Sequence, residues 1–224
     1  MTVDPAEVPA RGHHPPVDEL VDRLLGLREQ VGTGRPVLLG LVGEPGAGKS
    51  TLAASLVATL TTRGASTVLV PMDGFHLANV ALAALGRADR KGALDTFDGA
   101  GYAALLARLR AAGPHTVWAP TYDRSIEESV AGAIAVPPGT EVVVTEGNYL
   151  LVEEEPWDAV RGHLDEVWAV RVDPALRTQR LVARHVEFGK EPDHAAAWVR
   201  AVDEGNAALV RATLDRADLD VVLG

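Results

Sequence analysis

The sequence predicts an α/β fold, a doubly wound and mostly parallel sheet with flanking helices and a small helical lid. Three observations predict it. Short, continuously apolar runs alternate with stretches of helical period, and such runs suit strands buried on both faces. Several runs end at Gly, Asp, Glu or Asn, at the strand ends where open α/β sheets gather their ligands. The first run is followed by a Gly-rich turn closing on Lys49-Ser50, and then by a helical stretch.

Residues 1–16 carry Pro5, Pro9, Pro15 and Pro16 without an apolar core segment. They are expected to form a flexible arm, not a signal peptide. Residues 17–31 place Leu20, Val21, Leu24, Leu25 and Leu27 among charges, the pattern of an amphipathic helix ended by Gly32. A strand is expected over 36–42, a helix over 49–62 and a second strand over 67–70. An Ala/Leu helix then runs to Leu85, followed by irregular chain over 86–98 and a helix over 102–112. Residues 116–119 read as a short strand stopped by Pro120, and 141–145 and 167–172 as further strands. Long helices follow over 175–188 and 194–214, with a last strand at 219–223. No repeat or linker divides the chain, so residues 17–224 are expected to form one domain, with its lid around 177–200.

Composition narrows the function. A hydrophobic fraction of 47% with only 4% aromatics implies an aliphatic core. The formal net charge of −10 and the lack of a basic stripe argue against a nucleic-acid partner. No apolar run is long enough to span a bilayer, so no membrane partner is expected. The absence of cysteine excludes disulfides and thiolate metal sites and fits a cytoplasmic location.

Gly43-Glu44-Pro45-Gly46-Ala47-Gly48-Lys49-Ser50 matches G-x-x-x-x-G-K-[ST] between an expected strand and an expected helix, with Thr51 next. Glycines let backbone N–H groups turn inward around phosphate oxygens, and the helix start adds its positive dipole end. Lys49 is then expected at the β- and γ-phosphates, with the Ser50 hydroxyl on Mg²⁺. The third glycine of a dinucleotide fingerprint is missing, and so is the N-K-x-D base-reading motif of a GTPase.

Asp73 follows the second strand in Met72-Asp73-Gly74-Phe75-His76. It reads either as an Asp-Gly turn or as a carboxylate beside the phosphates, able to take a proton from an attacking hydroxyl. Glu146, at the end of the 141–145 run, reads either as a solvated strand end or as a Walker-B-type acid near Mg²⁺. Arg177, Arg180 and Arg184 share one helix face and read either as a solvated basic surface or as a lid over the phosphates.

Gly43 to Thr51, the Asp-Gly-Phe-His loop, Thr96-Phe97-Asp98, Pro120-Thr121-Tyr122-Asp123 and Thr145-Glu146-Gly147 succeed one another in a familiar order. In this the chain resembles the uridine kinase / phosphoribulokinase / pantothenate kinase family, and within it the bacterial nucleoside/nucleotide kinase-like or pantothenate kinase-like branch. The likeness extends from about Pro36 to the C-terminus. It implies transfer of the ATP γ-phosphate, with Mg²⁺, to a hydroxyl of a small metabolite. It further implies Asp73 as base, Glu146 near the metal and Tyr122 with Asp123 near the acceptor. Arg180 and Arg184 are the lid arginines it favours, Arg180 toward ATP and Arg184 toward the reaction, with Arg177 weaker. His76 stands where relatives carry other residues, and reads either as a substrate contact or as structural. A nucleoside acceptor is expected to use nearby aromatics, a sugar to rely on Asp98, Asp123 and Asn148. A homodimer is a further expectation from relatives. The alternative from another class is a regulatory ATP-binding P-loop protein with slow hydrolysis and no small-molecule acceptor.

Overall fold

The computed structural model describes residues 15–187, 189 and 191–224. The expected arm therefore falls, up to His14, outside the described residues, as do Phe188 and Lys190 within the expected lid. The first helix, α1 (Val17–Val31), turns Leu20, Val21 and Leu24 inward. It leads into β1 (Val37–Val42), all six residues of which are buried. Next come α2 (Lys49–Thr62), β2 (Thr67–Leu69), a 3₁₀ turn over Met72–Phe75, α3 (Asn79–Ala84) and α4 (Gly99–Ala111). Residues 86–98, expected to be irregular, hold two short 3₁₀ turns, Ala88–Arg90 and Leu94–Thr96.

Two strands, β3 (Val117–Asp123) and β4 (Glu128–Val136), form an antiparallel ribbon apart from the main sheet. The chain then adds β5 (Val142–Gly147), α5 (Asp158–His163), β6 (Glu166–Val172) and α6 (Pro174–Glu187). It continues as α7 (Pro192–Trp198), a π-helical turn at Val199–Asp203, α8 (Glu204–Arg211) and β7 (Leu219–Leu223).

The main sheet runs β2-β5-β1-β6-β7 with every neighbouring pair parallel. Its alternating side chains feed two cores. Leu38, Val42, Val143 and Val167 face one with α4 and α5, while Val37, Leu39, Leu41, Val142 and Trp168 face the other with α1 and α2. That two-sided burial makes β1 and β5 read as unbroken apolar runs, without the alternation of a half-exposed strand.

Three elements differ from expectation. Strand β3 does not stop at Pro120 but passes through it, and the pairing with β4 slips between Ala119 and Thr121. Proline has no N–H to give the ladder, and a local irregularity accommodates it. Strand β4 itself is not among the expected strands. Its centre, Ala131-Gly132-Ala133, is exposed and dilutes the β-branched positions Val130, Ile134 and Val136 that alternate around it. Finally, the helix expected over 194–214 is broken by the π turn, whose last residue, buried Asp203, meets His185 of α6 at 2.8 Å. Wider turns of this kind shift the register of the downstream helix and are frequent at functional sites.

Candidate active site

A cavity of about 620 Å³ opens at the carboxyl ends of the strands. The loop after β1 forms one wall, and α2 starts directly from it at Gly48, with no side chain capping its first-turn N–H groups. Those N–H groups and the helix dipole make a site for anions. Lys49 is buried and donates to Gly43 O at 2.9 Å, Glu44 O at 3.2 Å and Asn148 Oδ1 at 2.8 Å. Three acceptors match the three donors of an ammonium group. Burial lowers its pKa, with the charges of Glu146 and Asp73 pulling the other way.

Glu146 ends β5 beside the loop, and its Oε1 accepts from Ser50 Oγ at 3.0 Å. Burial raises its pKa, the Asp73 charge adds to that, and Lys49 and the Ser50 hydrogen bond oppose it. A buried carboxylate held off its ordinary pKa next to a hydroxyl is a hard-oxygen pair suited to Mg²⁺. Among the described residues no three acidic or histidine side chains gather into a cage. Mg²⁺ characteristically takes one or two protein oxygens and completes its shell with phosphates and water.

Asp73 stands on the 3₁₀ turn after β2 and lines the same cavity. The turn is wedged against the ribbon. A Cβ on Gly74 would come 2.5 Å from Pro120 O, so only glycine lets the two backbones meet. From the ribbon tip Arg124 Nη2 reaches Asp73 Oδ2 at 3.3 Å. His76 Nδ1 lies 2.8 Å from Asp73 O. A carbonyl only accepts, so Nδ1 carries the hydrogen. Burial lowers the His76 pKa, with Lys91 and Arg124 adding to that and Asp73 opposing, which favours the neutral ring with its lone pair on Nε2. The ring lies 4.0 Å from Phe97 and 4.6 Å from Tyr122, centre to centre.

Of the residues named from sequence, Pro45, Gly46, Gly48, Lys49, Ser50, Thr51, Asp73, His76, Tyr122, Glu146, Asn148, Arg180 and Arg184 all line this cavity. Asp98 does not. It caps α4, accepting from Gly101 N at 2.8 Å. Asp123 does not either, and its Oδ1 accepts from Ser125 N and Oγ, which hold its pKa low. Asn148 serves the cavity by holding Lys49. Arg177 turns away from the cavity and is buried, paired with Glu204 and at 3.7 Å with Glu44 of the loop. Burial lowers the pKa of Arg184, and the like charge of Arg124 adds to it.

Sequence reading missed Lys91, Arg124, Asn79, Trp198, His185, Asp203 and Asn206, which also line the cavity. A signal existed for Arg124, next after Tyr122-Asp123, but without β4 the turn-back of the ribbon was invisible. Lys91 sits in a polar stretch without periodicity.

A parallel sheet with a phosphate-cradling loop at its switch point, faced by a carboxylate and arginines, defines a P-loop phosphotransferase. Residues 38–223 match the Phosphoribulokinase / Uridine kinase family, and the chain belongs to that family as a P-loop kinase of its uridine, phosphoribulo- and pantothenate kinase type. A provisionally named fructose transport system kinase from Silicibacter sp. TM1040 superposes with a TM-score of 0.83 at 36% identity, covering 92% of this chain and 98% of its own. An ATP-dependent kinase-like protein of Aspergillus versicolor is 44% identical over 134 residues, 56% of this chain and 77% of the relative. A provisionally named uridine kinase of Schizosaccharomyces pombe is 33% identical over 181 residues, 77% of this chain and 74% of the relative. Among the described residues no helix is long and apolar enough to cross a membrane.

Proposed function

We propose that the protein transfers the γ-phosphoryl group of ATP to a hydroxyl of a small metabolite. The observation that carries this is Asp73, a carboxylate lining the same cavity as the phosphate loop and close enough to act electrostatically on both Lys49 and Glu146.

In this reading the loop from Gly43 to Thr51 cradles the phosphates through its N–H groups and the start of α2. Ser50 and Glu146 hold Mg²⁺, which when bound supplies positive charge to the phosphate oxygens. Asp73 accepts a hydrogen bond from the acceptor hydroxyl and takes its proton as the oxygen attacks. A bond forms between that oxygen and the γ-phosphorus, and the bond from phosphorus to the β,γ-bridging oxygen breaks, releasing ADP. Lys49, Arg184 and Arg180 offset charge on the transferring group, the arginines coming from α6 as one side of a closing lid.

Replacement of Asp73 by Asn is expected to lower kcat by about a hundredfold to ten-thousandfold while ATP affinity holds. The measurement is ADP release with uridine, fructose, pantothenate, D-glycerate and D-ribulose 5-phosphate as acceptors, with Lys49→Ala as blank. Acceptor-dependent release that survives Asp73→Asn removes Asp73 from the mechanism. Release indifferent to every acceptor returns the protein to the regulatory class.

A further inference from the structure

The acceptor half of the cavity carries more than a base. Lys91 Nζ donates to Asn79 Oδ1 at 2.6 Å and to Glu127 O. Both are neutral acceptors, and among the described residues no carboxylate forms an ion pair with Lys91. Arg124 comes from the ribbon tip, and its charge and that of Lys91 both act on His76. The charge of Arg124 also acts on Arg184, which lines the same cavity. Lys91 and Arg124 thus both line the cavity beside His76, Arg124 also pairing with Asp73 at 3.3 Å. The carboxylates nearby are Asp73, which the proton transfer requires, Glu127, an exposed side chain at the rim, and Glu128, which is engaged by Asn79 N at 3.1 Å and 3.2 Å.

The aromatic rings point the same way. A nucleobase is held by stacking on an open ring face. Tyr102 and Tyr149 are buried in the core, their hydroxyls bonded to Thr145 Oγ1 and Gly92 O. Phe97 packs on His76, Tyr149 and Trp157. Tyr122 has His76 against its ring and Lys91 Nζ over it, 5.3 Å from the centroid. The remaining aromatic in the lining, Trp198, comes from α7 among the lid helices.

We propose that the acceptor is an anionic hydroxy compound, its carboxylate or phosphate group seated by Lys91 and Arg124, and that neutral nucleosides and free sugars are not the substrate. This rests on the kinase reading. A fixed anion at that end sets the reacting hydroxyl against Asp73, with neutral His76 Nε2 available to accept from a second hydroxyl. The stacked rings then serve as a wall that orients Lys91.

The test is the same acceptor panel, read for kcat and KM on the wild type, Lys91→Met, Arg124→Met and Lys91→Arg. Turnover confined to the anionic arms supports the proposal. Pantothenate and D-glycerate then separate a carboxylate seat from the phosphate seat that ribulose 5-phosphate reports. With such an acceptor, Lys91→Met is expected to raise acceptor KM about tenfold to a hundredfold, leave the KM for ATP unchanged, and be largely restored by Lys91→Arg. Preferential turnover of uridine or fructose overturns the anionic acceptor and leaves the kinase standing. An acceptor KM indifferent to both Met variants overturns the assigned seat. ATP hydrolysis that no arm accelerates takes the kinase reading down as well.

Discussion

Gly46 shows how narrowly one residue can be constrained. Its φ is +82°, and a Cβ there would lie 2.8 Å from Leu181 Cγ and 3.1 Å from Arg177 O, both on α6. The phosphate loop is thus folded against the lid helix with no room for a methyl group, and the left-handed backbone alone costs an L-residue about 1–2 kcal/mol. Gly46→Ala is expected to lower Tm and to weaken ATP binding, because relief of the clash moves either the loop or α6. Thermal melts with and without Mg²⁺ and ATP check it. A variant whose ATP-induced rise in Tm matches the wild type would show that the loop geometry had not been disturbed. The motif made Gly46 legible in the sequence, but only through its place next to phosphate. That α6 seals its other side is a tertiary fact with no local signature.

At the scale of elements, legibility followed burial. Helices α1 and α2 lie where their apolar spacing and their glycine boundaries put them, and β1 and β5 appear as unbroken apolar runs because both sheet faces are covered, while β6 and the edge strand β7 keep shorter apolar stretches around Arg171 and Asp220. The ribbon strand β4 stayed hidden because exposure and small side chains erase the pattern. The π turn stayed hidden because it interrupts a good helical period for a tertiary reason, the meeting of Asp203 with His185. Helix α6 divides its own face. Arg180 and Arg184 line the cavity, while Arg177 is buried at 2% exposure and ties Glu44 of the phosphate loop to Glu204 of α8. Arg211 of α8 completes this four-residue network with Glu44 and Glu204. Removing Arg177 leaves Glu44 and Glu204 with Arg211 as their shared cation and loses a buried charged hydrogen bond, at about 1.5–3 kcal/mol. Arg177→Met is therefore expected to lower the urea midpoint strongly, whereas Arg180→Met leaves the midpoint near wild type and lowers kcat. Equal effects of the two on stability would dissolve the distinction between the buried and the cavity-facing side of α6.

Across the whole molecule, two aliphatic cores hold a set of charged groups in surroundings that disfavour their charged forms. Burial lowers the pKa of Lys49 and Arg184 and raises that of Glu146. Such sites are kept at a cost in stability that the rest of the fold offsets. For Glu146 the consequence can be read against pH. A raised folded-state pKa means that the folded protein holds the proton more tightly than the unfolded chain, whose Glu titrates near about 4.3. The stability this contributes is complete below that unfolded value and is lost as pH rises through the folded one. Gln at this position does not titrate and keeps a hydrogen-bond acceptor for Ser50. Denaturation midpoints of wild type and Glu146→Gln, followed from about pH 4 to about pH 8, should therefore start close together and diverge as pH rises, with the Gln variant the more stable at the upper end. Mg²⁺ with ATP should close the gap, since a cation beside Glu146 favours its charged form in the folded protein alone. Parallel pH profiles would mean that Glu146 is solvated like an ordinary strand-end carboxylate, and the hard-oxygen pair with Ser50 would lose its claim to the metal.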